Sequence, residues 1–394
     1  MTVTGERVGV DRAREAAGLL VLVTLLVPLP FLLDDFRQQL AAKYLCFAFP
    51  AVGLVLLWGY GGILSLGQGL YFGMGSYFMA MFLKLEAAAQ TNTGSALSQF
   101  YGSSLTDFMV WNSVESLPWW WRPFHSLTFT VAVILVIPPL FAFLLAYANF
   151  RKRVGGVYFS IITLALAAIA SIVIIGQQGY TGGVNGITDF KTFLGVDILS
   201  NGVKRVLYFV TLGVLLASVL AGRALLASRT GKILVAIRDR EDRVRFSGYN
   251  PATFKAFVFA VAALLASLGG ALFALQEGLA SPSLIGIVPS IEMVIYAAVG
   301  GRLSLIGTVY GTLLVFTAKT FFSEHFPEIW LYLLGALFIL VVMFLPTGLA
   351  GLVERLRWRP RSRPVDVSAP ALAAVRASRA EVDAPVEVRS SRSA

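Results

Sequence analysis

The sequence predicts an all-α polytopic membrane protein with about ten transmembrane helices, some of them short or broken. Three observations carry that prediction. Of 394 residues, 57% are hydrophobic and only 14% are charged, where a soluble domain carries about 25% charged residues. The apolar residues gather into runs of spanning length. The basic residues gather beside those runs, which is how lysine and arginine distribute in the cytoplasmic loops of membrane proteins. A net charge of +10 would otherwise suggest nucleic acid, but no basic face or stripe forms. No nucleic-acid partner is expected.

A membrane-spanning helix takes roughly 20 mostly apolar residues. Such runs lie near 16–33, 42–58, 66–84, 127–148, 157–176, 206–222, 256–276, 288–300, 304–321 and 330–346. The first follows Arg7, Arg12 and Arg14, as a signal peptide would. Asp34-Asp35-Phe36-Arg37 then stands where a small-residue cleavage site belongs, so the run is expected to stay as a helix. The run 288–300 is short, and Gly300-Gly301 would mark a break. Arg151-Lys152-Arg153, the basic loop after 206–222 and the arginines from Arg355 to Arg363 fall on one side of a ten-span alternation. That side is expected to be cytoplasmic, with both termini on it.

Domain organisation follows from these spans. Residues 1–354 are expected to form one transmembrane domain, with an outer loop at about 85–126 and a cytoplasmic loop at about 223–255. In the outer loop Trp119-Trp120-Trp121 is expected to anchor at the headgroups, where aromatic rings meet water. Residues 355–394, rich in Ala, Ser, Arg and Val without periodicity, are expected to form a disordered basic cytoplasmic tail.

Enzymatic constellations are missing from the sequence. His125 and His325 are the only histidines and neither has a ligand-spaced neighbour, so no metal site and no catalytic residue is expected. Cys46 is the only cysteine and cannot form an internal disulfide. Gly231-Lys232 has the look of a phosphate-binding loop, but Leu226 replaces its first glycine and Ile233 its Ser/Thr. The chain is expected to bind no cofactor and to contain no ATPase.

The most informative polar segment is Ser228 to Pro251. Ile233, Ala236, Ile237, Val244 and Phe246 stand apolar in a charged background, which predicts an amphipathic helix closed by Gly248 and Asn250-Pro251. One reading is a solvated loop that sets topology. The other is a helix that docks into a partner's cleft, and the acids Asp239, Glu241 and Asp242 among the arginines suit a specific interface.

The run Arg229-Thr230-Gly231-Lys232 through Ala236-Ile237-Arg238-Asp239-Arg240-Glu241, followed by Gly248-Tyr249, resembles the coupling segment of branched-chain amino acid type ABC permeases. Residues from Trp58 to Gly69, Gly156 to Thr163, Gly183 to Lys191, Ser290 to Glu292 and Ala297 to Arg302 are similar to the same family. Within it, Arg238-Asp239 to Pro251 and Phe326-Pro327-Glu328-Ile329-Trp330-Leu331 resemble the second permease subunit of urea importers. Asp107-Phe108-Met109 with Leu117-Pro118-Trp119 fits that subgroup too. The resemblance implies a bacterial inner-membrane subunit that forms a heterodimer with a second permease subunit. Two cytoplasmic ATPases would hold the ATP and Mg, and an external binding protein would deliver urea. Branched-chain or other amino acids are the alternative cargo, and a stand-alone small-solute channel is a third. The cytoplasmic coupling helix would place Ala236, Ile237, Arg238, Asp239, Glu241, Asp242 and Gly248 against the ATPases.

Polar residues within spans are costly and tend to face cavities. Ser65, Gln68, Ser76, Thr163, Gln276, Glu277, Ser290, Glu292 and Tyr296 are therefore the candidates for lining a solute path. Glu292 is expected to be neutralised in a structural pair, with Arg302 one candidate partner. An internal echo joins Gly61-Gly62-Ile63-Leu64-Ser65-Leu66 to Gly300-Gly301-Arg302-Leu303-Ser304-Leu305. Repeated halves often place interrupted helices at matching positions beside the substrate path. Gly73 and Gly75 fit helix packing instead.

Overall fold

The structure is a computed structural model that describes residues 17–91, 105–190, 192–198 and 200–329, with single positions between 332 and 351. The N-terminal arginines, residues 92–104 of the outer loop, most of the expected span 330–346 and the tail 355–394 lie outside the described residues. The principal helices are α1 (Ala17–Leu32), α2 (Asp35–Leu54), α3 (Gln68–Thr91), α4 (Leu127–Arg151) and α5 (Val157–Gly176). They continue as α6 (Asn201–Ala227), α7 (Arg229–Phe246), α8 (Pro251–Glu277), α9 (Ile287–Gly300) and α10 (Leu305–His325). A single two-residue β-ladder, Thr192–Phe193 with Val196–Asp197, is the one sheet among the described residues.

Among the described residues six helices are long and apolar enough to cross a membrane: α2 with its continuation to Tyr60, α4, α5, α6, α8 and α10. The apolar helices α1 and α9 are shorter. Helix α3 is long enough at 24 residues, but Gln68, Ser76, Lys84 and Glu86 dilute its apolar character. Several helices outrun their apolar runs. Helix α2 begins at Asp35 after the extended Asp34 rather than near residue 42, because burial against its neighbours sustains a helix beyond its most hydrophobic stretch.

Helices α2 and α8 form the centre. The apolar window of α2 is 83% buried and that of α8 72%, against 28% for α4 and 22% for α5. The outer pair thus turns most of its surface outward, as lipid-facing helices do. Helix α8 packs along α2, α3 and α4, and small residues permit the approach. A Cβ on Gly75 of α3 would overlap the Ser267 carbonyl, and one on Gly270 of α8 would overlap the Phe72 carbonyl. These reciprocal contacts hold the two backbones together, the arrangement favoured where lipid leaves van der Waals packing as the main attraction. The rings of Phe47, Phe72, Phe273, Tyr296 and Phe316, packed in stacked, tilted and edge-on pairs, fill the space among α2, α3, α8, α9 and α10.

At the end of the bundle remote from α7, Lys84 is buried and donates to Asp107 Oδ2 at 2.9 Å and the Thr188 carbonyl at 2.7 Å. That clamp ties the segment 105–126 and the loop 182–190 to α3. Trp121 is fully buried, and Trp119 is 80% exposed. The expected three-tryptophan headgroup anchor therefore reduces chiefly to Trp119, since Trp121 packs inward on Phe108.

Candidate functional site

The polar residues resolve into three places along the bundle. The first is where α7 meets it. Helix α7 starts at the Ser228 cap, buries Gly231, Leu234, Ile237 and Val244, and is kinked at Arg240. Gly248, at φ +85°, ends the segment, and Asn250 caps α8 by accepting from Ala252 N at 3.1 Å. Ala236, Asp242 and Phe246 face outward, with Phe246 93% exposed.

Arg238 joins α7 to the membrane helices. Its Nη1 donates to the Gly59 carbonyl at 2.8 Å and its Nε to Asp239 Oδ1 at 2.9 Å. Gly59 lies in the π-helical turn Val55–Tyr60 that ends α2; such turns widen the helix and expose backbone groups. A Cβ on Gly59 would overlap the Arg302 carbonyl, and one on Gly62, at φ +69°, would press on Arg238. Tyr60 Oη donates to the Leu303 carbonyl at 2.6 Å. The turn just before the first half of the internal echo therefore touches the second half, and both halves contain a glycine at positive φ, Gly62 and Gly301. Glu241 is held within the chain as well, by Arg245 at 3.2 Å and Lys255 at 2.6 Å.

The second place is the unwound stretch after that turn. Leu66 N donates to Thr163 Oγ1 at 3.1 Å, Gly67 N to Ser65 Oγ at 3.3 Å and Gly69 N to Ser290 Oγ at 3.2 Å. Ser160 Oγ donates to the Leu64 carbonyl at 2.7 Å. Broken helices persist within a membrane only where such partners satisfy the backbone. Ser65, Thr163 and Ser290 thus serve the break from fully or nearly buried positions. Gln68 is different: it is fully buried, and neither Oε1 nor Nε2 has a partner among the described residues. Ser76 Oγ is also buried without one.

The third place lies toward the opposite end. Glu292 on α9 receives Lys319 Nζ at 2.8 and 2.9 Å on its two oxygens, and Tyr296 Oη donates to Oε2 at 2.8 Å. Glu277 at the end of α8 receives Lys43 Nζ at 3.2 Å. Between the two pairs the hydroxyls of Tyr44 and Thr320 share a hydrogen bond. Gln276 Nε2 donates to Thr211 Oγ1 at 3.0 Å, and its carbonyl accepts from Gln39. Lys43 and Lys319 keep 32% and 26% of their side chains exposed, against 9% for Glu292. The cluster is consequently reachable from outside the chain, whereas Gln68 is enclosed.

The sequence candidates divide accordingly. Ser65, Gln68 and Thr163 sit at the helix break; Gln276, Glu277, Glu292 and Tyr296 sit in the charged cluster. Glu292 is bound by Lys319 and not by Arg302, which lies beside Gly59 at the other junction. Lys43 and Lys319 were missed by sequence reasoning. A lysine inside each apolar run was the available signal, since such a charge needs a nearby carboxylate. Among the described residues no group of His, Cys, Asp and Glu is arranged to hold a metal ion.

Comparison with known proteins gives a consistent result. The family described as "Branched-chain amino acid transport system / permease component" matches residues 37–342. The high-affinity branched-chain amino acid transport system permease protein LivM of Salmonella typhimurium is 26% identical over 353 residues, covering 84% of this chain and 74% of that protein. LivM of Escherichia coli shows the same identity and coverage. BraD of Pseudomonas aeruginosa, described in the same words, is 30% identical over 128 residues, 32% of this chain and 41% of that protein. No solved structure matches.

Proposed function

Because this chain belongs to the family of permease components of branched-chain amino acid transport systems, we propose that it is the membrane-spanning permease subunit of a binding-protein-dependent ABC importer of the bacterial inner membrane. The observation that carries the reading is the seating of α7, with Arg238 donating to Gly59 at the end of a π-helical turn. A rigid motion of α7 would be felt directly by the broken segment 61–67 and, through Gly59 and Tyr60, by the turn between α9 and α10. In this reading α7 lies in the cytoplasm and separate ATPase subunits hold ATP and Mg. They press on the outward residues Ala236, Asp242 and Phe246. A second permease subunit completes the pathway, and an external protein delivers the solute to the end bearing Lys43 and Lys319.

For the cargo we favour a small zwitterion of the amino acid class. Two ion pairs, Lys43–Glu277 and Lys319–Glu292, supply two ammonium and two carboxylate groups, with both lysines partly exposed. A zwitterion can meet both signs there at once, while the net charge of the pairs stays near neutral. Urea is the second reading, supported by the resemblance of Arg238 to Pro251 and of Phe326 to Leu331 to urea-type subunits. Urea makes no use of a fixed charge, so the two cargoes separate experimentally. The full complex, reconstituted with its binding protein, is assayed for ATP-dependent uptake of labelled leucine and labelled urea. Leucine uptake that is lost in Lys43→Met and Lys319→Met supports the first reading. Urea uptake indifferent to both substitutions supports the second. Uptake by this chain alone, without ATPase, overturns the ABC assignment.

A further inference from the structure

Where the C-terminal end of α7 meets the α4–α5 turn, the chain forms a basic pocket of about 360 Å³, and Gly248 at the end of the coupling segment is part of its lining. Its walls are Arg151 and Arg153 from the α4–α5 turn, Arg245 from the end of α7, and Tyr249, Asn250 and Pro251 at the start of α8. No carboxylate lines it among the described residues. Glu241 of α7 is shared between Arg245 and Lys255. The side chains of Arg151 and Arg153 are exposed and have no hydrogen-bond or ion-pair partner among the described residues.

Arg153 is unusual on backbone grounds. It has φ +60°, in the left-handed region where glycine or asparagine is at ease and a long side chain carries strain. Arg153 N donates to the Phe150 carbonyl at 3.1 Å and Val154 N to the Asn149 carbonyl at 3.0 Å, so Arg153 holds the left-handed position that ends α4, a place commonly taken by glycine. A turn alone does not call for arginine at 153. Its position at the pocket wall supplies a reason: a cation there faces two others around an opening.

The surroundings select the kind of anion. Val157 and Tyr158, which open α5, are 72% and 74% exposed, and the apolar windows of α4 and α5 are the least buried of the six candidate spans among the described residues. The pocket therefore stands where a polar head would sit while its acyl chains run along these apolar surfaces. Basic pockets of this kind beside transmembrane helices recruit anionic headgroups. We propose that Arg151, Arg153 and Arg245 bind the phosphodiester of an anionic lipid of the leaflet that faces the ATPases. The proposal rests on the placement of α7 in the cytoplasm for the choice of leaflet; the binding chemistry does not depend on transport.

The test uses the purified full chain in detergent and needs no ATP, so its result is independent of uptake. Retention of phosphatidylglycerol is measured by native mass spectrometry against phosphatidylcholine, with inorganic phosphate as competitor. Wild-type chain is expected to retain phosphatidylglycerol selectively. Arg151→Gln with Arg153→Gln is expected to weaken that retention roughly 30-fold, while Arg151→Lys with Arg153→Lys restores most of it. Arg122→Gln, which removes a cation at the other end of the chain, should change nothing. Equal retention of the two lipids, or equal loss with Arg122→Gln, overturns the proposal. Phosphate that displaces the lipid at millimolar concentration would assign the pocket to a free anion and overturn the lipid source. Persistent phosphatidylglycerol with phosphate present supports it.

Discussion

Gln68 carries both halves of a hydrogen-bonding amide into a fully buried position with no partner for either among the described residues. Leaving such a group unsatisfied costs about 1–3 kcal/mol, so a chain selected for stability alone would place methionine or leucine there. Gln68→Met is expected to raise the thermal midpoint of the purified chain and to lower uptake by the assembled complex. A drop in stability would show that the amide is satisfied, and unchanged uptake would remove Gln68 from the solute path. Lys319 and Glu292 make the converse case. Lys319→Met strands a carboxylate that is 9% exposed and should destabilise the chain by about 2 kcal/mol, short of the fully buried range because the lysine is partly solvated. The double replacement with Glu292→Met should recover most of that loss. Denaturation of the two single variants and the double variant measures the coupling directly.

Helix α7 is the element through which an outside force would enter. That it is an amphipathic helix was legible in the sequence from apolar residues amid charges, but of Ile233, Ala236, Ile237, Val244 and Phe246 only Ile237 and Val244 are buried, with Leu234 beside them. Which charges face a partner was not legible. Asp239 and Glu241 turn out to be engaged by Arg238, Arg245 and Lys255, so reversing either would disturb α7 itself as well as any interface. Asp242 and Phe246 are the cleaner probes. Phe246→Asp is expected to abolish co-purification of the ATPase while leaving this chain in the membrane. Arg238→Met, by contrast, should retain the ATPase and its hydrolysis but cut uptake by tenfold or more, about 1.4 kcal/mol of lost coupling. Uptake that stays proportional to hydrolysis in Arg238→Met would show that the Gly59 contact transmits nothing. Gly59→Ala tests the same junction from the other side. The added methyl group would collide with the Arg302 carbonyl, so the π-helical turn could no longer seat against the α9–α10 turn.

At the scale of the molecule, composition and the positions of the basic loops were enough to establish a helical membrane protein. Apolar runs must be buried or placed in lipid, and the peptide groups within them must be bonded internally. The sequence also located the helix interruptions, since Gly61-Gly62 and Gly300-Gly301 stand at matching places in two similar hexapeptides. What it could not supply were the partners of the charges. Lys43 lies 234 positions from Glu277, and Lys319 lies 27 from Glu292; no periodicity links such separations. The same holds for Gly59 and Arg302, which neighbour each other only because α2 and α9 pack side by side. Local pattern thus determined which segments are helices and where they break. Tertiary packing decided which polar groups neutralise each other, which remain reachable, and that the buried amide of Gln68 is left without a partner among the described residues, because those outcomes depend on distances between segments far apart in the chain.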